Sequence, residues 1–140
     1  MPSTIANKAQ ERANYAFTEI KKVAKVPAPN ASNEEKNKAK EFNEKFKSHI
    51  KDVPMMIMTN GLASAFAFVF SKQQKDETYK HIEDITKRWL IDKQQILSGE
   101  GQLHEILIRT EQQDQYRLCT REIMALYTWL KRYADGLITD

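Results

Sequence analysis

The side chains with the reach for catalysis or metal binding are His49, His81, His104 and Cys119, and their spacing gives them little to work with. No two histidines stand four residues apart and the single cysteine has no thiol partner, so metal-site spacing is absent. His81 and Asp84 share one face of an expected helix, an arrangement more often met as a hydrated imidazole beside an acid than as half a metal site. A metal enzyme resting on that pair would announce itself by stoichiometric metal in the purified protein. Cys119 falls inside an apolar arc, where a thiol packs rather than attacks. Gly99 and Gly101 form a G-x-G with neither a strand nor a phosphate-cradling motif around it. An arginine followed about four to six residues later by histidine, the spacing of one class of small helical ribonucleases, is also missing. The sequence therefore predicts no catalytic residue, no metal and no cofactor.

What remains is surface chemistry. Arg117, Arg121, Thr128, Lys131, Arg132 and Asp135 fall on the side of the last expected helix opposite its apolar arc. Lys87, Arg88 and Lys93 add cations on the fourth helix and Arg109 on the fifth. A basic stripe can hold a nucleic-acid backbone because its cations displace condensed counterions from phosphates. The plainer account is a solvated helix face. Exposed aromatics would favour RNA through base stacking, but Trp89 lies in an apolar seam and Trp129 at the edge of one, so both are expected to pack.

The elements that must position these residues are all helical. Four glycines and four prolines in 140 residues leave little material for a turn-rich β fold. The organising stretch is Val53–Lys72, apolar almost all the way round, with Pro54 in its first turn. Thr59, Asn60, Gly61 and Ser64 interrupt it, short of the roughly 18 apolar residues a membrane span needs. It is expected to be the buried central helix of a bundle, with Gly61, Ser64, Ala65 and Phe68 on the side where a neighbouring backbone comes close. A first helix is expected over 4–25 and a Pro-containing loop near 26–32, a candidate for the mobile part of the molecule. Ser32 to Glu35 reads as a capping box opening a Lys-rich second helix. The fourth helix carries Tyr79, Ile82, Ile85, Trp89, Leu90, Ile96 and Leu97, and stops at Gly99. The fifth carries Leu103, Ile106, Leu107 and Ile108. The last runs from about Gln115 to Ala134, with Tyr116, Cys119, Ile123, Leu126, Tyr127, Leu130, Tyr133, Ala134 and Leu137 within roughly 120° of arc and Gly136 as terminator. The expectation is an all-α, single-domain bundle of five to six helices over residues 1–140.

Net charge is +3, which permits nucleic-acid or acidic partners without demanding them. One cysteine and an N-terminus without a signal-peptide core suit a reducing cytoplasm.

Two segments together resemble a known family. One is Val53-Pro54-Met55-Met56-Ile57-Met58-Thr59-Asn60-Gly61-Leu62 with its Ala/Phe-rich continuation to Phe68. The other is Tyr116-Arg117-Leu118-Cys119-Thr120-Arg121-Glu122 leading to Trp129-Leu130-Lys131-Arg132-Tyr133-Ala134-Asp135-Gly136-Leu137-Ile138. In order and spacing they are similar to the small helical subunit of the Cmr module, the type III-B CRISPR RNA-guided effector complex, clearly over residues 50 to 138. The resemblance implies a non-catalytic bundle, several copies of which stack beside the backbone subunit carrying the guide RNA. It further implies a place next to the large polymerase-like subunit, along the target RNA. Arg117 and Arg132 correspond to the family motif, Arg121 and Lys131 share their helical side, and Arg88 and Arg109 rest on charge alone. The loop at Pro27 and Pro29, or exposed apolar edges, would serve copy-to-copy contact. Lysine outnumbers arginine, which keeps phosphate contacts but forgoes bidentate ones. The alternative is a stand-alone helical adaptor that binds a protein and never touches nucleic acid.

Overall fold

The computed structural model describes residues 5–139, with side chains from residue 7 onward; Met1–Thr4 and the side chain of Ile5, to which the N-terminal expectations extend, lie outside the described residues. Among the described residues the chain forms six α-helices and no strand, as the all-α reading requires. They are α1 (Ile5–Val23), α2 (Asn33–Asn60), α3 (Leu62–Lys72), α4 (Thr78–Arg88), α5 (Leu103–Ile108) and α6 (Gln113–Leu137).

The long helices α1 and α2 both lie against α6, so the apolar arc of α6 is covered from two sides. Cys119, Ile123, Leu126, Tyr127, Leu130 and Ala134 are fully buried there. They meet Ala16 and Ile20 of α1 and Phe46, Ile50 and Val53 of α2 in one continuous core. Each large apolar side chain buried this way contributes about 1.5–3 kcal/mol. The α1–α2 loop is anchored at its start. Asn43 accepts from Lys25 N and donates to Lys25 O, both at 2.8 Å, so one side chain satisfies a backbone that its prolines keep out of helix. Ser32 caps α2 as its spacing predicts, with Oγ accepting from Glu35 N at 3.1 Å.

The expected central helix is two helices with a different boundary. Pro54 lies inside α2, which runs on to Asn60, and the break comes at Gly61, whose φ of 90° few side chains tolerate. A proline withholds one hydrogen bond from the preceding turn, and the burial of Ile50, Val53 and Ile57 on the same helix outweighs that loss. Nor is the stretch wrapped on all sides. Met55 and Met58 are 66% and 73% exposed, and Phe68 and Phe70 are each 41% exposed. Beside Gly61, the nearest atom is the Tyr116 hydroxyl rather than a neighbouring backbone, and Ser64 is exposed. That hydroxyl accepts from Ala63 N at 2.9 Å, satisfying one of the free donors at the start of α3.

The fourth helix also ends earlier than its pattern suggests. After Arg88 it widens into one π-helical turn, Trp89–Lys93, in which Gln94 N donates to Trp89 O at 2.9 Å. Gln95 then takes a left-handed conformation (φ 53°) ahead of Gly99, which has a positive φ of its own (143°), and Ile96 N donates to Leu90 O at 3.0 Å. Leu97 is buried from the loop rather than from the helix. Ile108 does not join Leu103, Ile106 and Leu107 in the core; it is 70% exposed. Finally, α6 passes through Gly136 and ends at Leu137, because nothing there calls for a left-handed residue. Among the described residues no helix is long and apolar enough to cross a membrane.

Candidate nucleic-acid interface

Two buried carboxylates, both on the edge of apolar helix faces, fix how α1 meets its neighbours. Glu122 of α6 accepts from Arg12 Nε at 2.7 Å, from Arg12 Nη2 at 3.0 Å and from Trp89 Nε1 at 3.0 Å. The hydrogen bond to Glu122 raises the Arg12 pKa above its ordinary value. Glu19 of α1 is held by Arg88 at 2.5 Å and by Lys22 at 3.1 Å. Neither Arg12–Glu122 nor Arg88–Glu19 is visible from local sequence, since the partners stand 110 and 69 residues apart.

With α6 oriented by these ties, Arg117, Arg121, Lys131 and Arg132 come together on its exposed side. Arg117 reaches Asp114 at 3.8 Å, an exposed pair of little energetic weight. Arg121 and Lys131 have no ion-pair partner among the described residues, and Arg132 holds its guanidinium 5.2 Å from the centre of the Trp129 ring. The acid at the C-terminal end of the stripe is already occupied. Asp135 binds Lys51 at 2.7 Å and Lys47 at 3.8 Å, and the hydrogen bond from Lys51 leads in holding its carboxyl below the usual range. The exposed side of α6 thus continues into lysines of α2 that the sequence reading did not include.

Two further candidates are engaged in ion pairs of their own. Arg88 is tied to Glu19 and lines a cleft with Glu11, Asn14, Lys22 and Lys93. Arg109 pairs with Glu105 at 3.2 Å and borders a polar hollow with Gln112 and Gln115 at the start of α6. Their charge alone suggested them, and their partners are set by the fold.

The residues with nucleophilic or metal-binding potential are absorbed by structure. Cys119 is fully buried, 3.7 Å from the Ile96 carbonyl, and burial pushes its thiol up to about 11. His49 bridges the Asp76 carboxylate at 2.9 Å and the Tyr79 hydroxyl at 3.1 Å, His81 lies edge-on to Phe42, and His104 lies against Phe70. Among the described residues no three His, Cys, Asp or Glu side chains are grouped to hold a metal ion. Trp89 packs as expected, 2% exposed, whereas Trp129 keeps part of its ring in solvent.

Comparison with known proteins places this chain among relatives. A family model described as CRISPR-associated protein (Cas_Cmr5) matches residues 8–137. A solved structure, the X-ray crystal structure of a CRISPR-associated Cmr5 family protein from Thermus thermophilus, shares the fold with a TM-score of 0.66 and 23% identity. The match covers 94% of this chain and 98% of that one.

Proposed function

The chain belongs to the CRISPR-associated Cmr5 family, the small subunit of type III-B CRISPR Cmr complexes, and from that premise we propose that it is a non-catalytic subunit that stacks in several copies along the guide and target RNA and stabilises target engagement. The observation that carries this reading is the α6 stripe: Arg121 and Lys131 are exposed and form no ion pair within 4 Å among the described residues, though Lys131 lies in the field of Asp135, with Arg117 and Arg132 beside them. Lone cations on a rigid helix suit phosphates of any sequence, because each contact releases a counterion and reads no base. The partners in this reading are the backbone subunit carrying the guide RNA, the large polymerase-like subunit, and further copies of this chain. Exposed Met55 and Met58 on α2 and Ile108 on α5 supply apolar surface for such contacts.

The test has two steps. Tagging the protein in its native host should recover a multi-subunit complex with small guide RNAs; recovery with unrelated partners and no RNA would leave only the adaptor reading. In the assembled complex, Arg121→Glu with Lys131→Glu should weaken target RNA binding and flatten its salt dependence by about 0.7 in log–log slope per lost phosphate contact. Unchanged affinity and slope would remove the stripe from the RNA path.

A further inference from the structure

Along the α1–α6 seam, aromatic rings and cations form a line that neither charge nor core packing explains by itself. The Trp129 and Tyr133 rings, one helical turn apart on α6, stack with centroids 6.3 Å apart and planes 22° from parallel. Tyr133 in turn meets Phe17 of α1 edge-to-face at 5.4 Å. A cation stands at each end: Arg132 lies 5.2 Å from the Trp129 ring centre and Lys21 lies 5.4 Å from that of Phe17. Neither cation has a carboxylate partner among the described residues. Phe17 is 36% exposed, and Trp129 and Tyr133 keep part of their surface in water while their inner edges pack against the core. The rings are therefore anchored and still accessible. The Tyr133 hydroxyl has no hydrogen-bond partner among the described residues, so it remains able to donate.

We propose that this aromatic seam is a stacking platform for unpaired RNA bases, with Lys21 and Arg132 holding the phosphates on either side. The proposal rests on the RNA reading above and adds a base-contacting element to a surface otherwise limited to backbone charge. Aromatic faces accept any base, so the platform grips single-stranded segments without selecting sequence. Arg132 serves in two ways, since a guanidinium plane stacks on a base as well as on an indole. A fully paired duplex offers its phosphates but not its base faces, and would gain nothing from the seam.

The protein carries its own reporter. Trp89 is 2% exposed, so solvent-side changes in tryptophan emission come from Trp129. The experiment titrates the full chain with a short adenosine oligoribonucleotide and with an abasic ribose-phosphate chain of the same length and charge. The expected result is quenching by the adenosine chain only, and tighter binding of it by about 5-fold to 100-fold. Trp129→Leu, read by the fluorescence anisotropy of end-labelled oligonucleotides because the variant lacks the reporter, should abolish that preference. Phe17→Leu, on the other helix, should reduce the preference, and it provides an independent variant if Trp129→Leu fails to fold by circular dichroism. Equal binding of the two chains without quenching would overturn the stacking platform and leave the phosphate reading intact. Quenching by oligoglutamate equal to that by RNA would assign the seam to an acidic protein and also overturn it. Failure of the wild-type chain to bind either oligonucleotide would overturn both.

Discussion

Replacing Glu122 with alanine tests whether the buried ionic tie between α1, α6 and the turn after α4 holds the bundle in register. Its side chain is 8% exposed and accepts three hydrogen bonds, two from Arg12 and one from the Trp89 indole. Without it, the Trp89 N–H, on a residue 2% exposed, is stranded at a cost of about 1–3 kcal/mol. Arg12 is 20% exposed and can turn outward, so the about 3–5 kcal/mol of a broken buried pair falls to about 1–2 kcal/mol. The space left by the lost side chain adds about 1 kcal/mol. The sum, about 3–6 kcal/mol, is a large share of the stability of any single domain. At about 3–4 °C per kcal/mol for a chain of this size, the melting temperature should drop by about 10–25 °C. Glu122→Gln keeps an acceptor for the indole and should lose only about 1–2 kcal/mol. Urea unfolding of Glu122→Ala, Arg12→Met and the double variant gives the coupling directly, which should be about 1–3 kcal/mol. A loss below about 1 kcal/mol for Glu122→Ala, or strict additivity in the cycle, would refute the account. Because Phe17 meets Tyr133 across the same α1–α6 seam, a destabilised tie should also weaken the aromatic platform.

Three further outcomes follow from local geometry. Asp76 accepts from Thr78 N at 3.0 Å, from Thr78 Oγ1 at 2.7 Å and from His49. Burial works against its ionised form, but these bonds outweigh it and hold the carboxyl below its ordinary value. Its stabilising contribution is therefore complete above the unfolded value of about 3.9 and lost as pH falls through the lower folded one. Asp76→Ala should cost about 2 kcal/mol at pH 7 and flatten the acid limb of a stability-against-pH curve. Gly61→Ala should cost about 1–3 kcal/mol through backbone strain alone, since φ 90° and ψ 164° suit only glycine and the nearest atom to an added Cβ is an ordinary contact at 3.6 Å. Gly136→Ala, inside a helix with nothing within 4 Å, should instead stabilise by about 0.5–1 kcal/mol, and thermal melts of the two variants should move in opposite directions. Cys119 should react with a thiol reagent only as fast as the chain unfolds, so reaction at the rate of a free thiol in native buffer would contradict its burial.

The helical character and much of the α6 core are legible in the sequence, because a 3.6-residue period survives wherever one face is buried. Cys119, Leu126 and Leu130 needed no more than that. The boundaries were harder, since each depends on a competition that local signals do not settle. Pro54 lost to the burial of its neighbours, Gly136 met no demand for a positive φ, and Gln95 took the left-handed position at the helix end while Gly99 and Gly101 take positive φ in the loop beyond it. Apolar type alone also misled: Met55, Met58 and Ile108 are exposed although their neighbours are core. For the candidate interface, α6 spacing puts Arg117, Arg121, Lys131 and Arg132 on one side, and all four are exposed. It said nothing of Glu19, which claims Arg88. The aromatic seam did leave a trace, in the four-residue spacings of Phe17 with Lys21 and Trp129 with Tyr133, but only the packing of α1 on α6 joins the two pairs.

That packing has a consequence for how the chain is made. Arg12 and Glu122 are separated by 110 residues, so α1 leaves a ribosome well before the α6 that covers it. At about 5–20 residues per second the delay is about 5–20 s. Throughout it, Ala16 and Ile20, which end fully buried, have no α6 to cover them. A nascent chain halted anywhere before Gln113 would present that bare face to chaperones and proteases, so quality control on this protein should act chiefly on its N-terminal end.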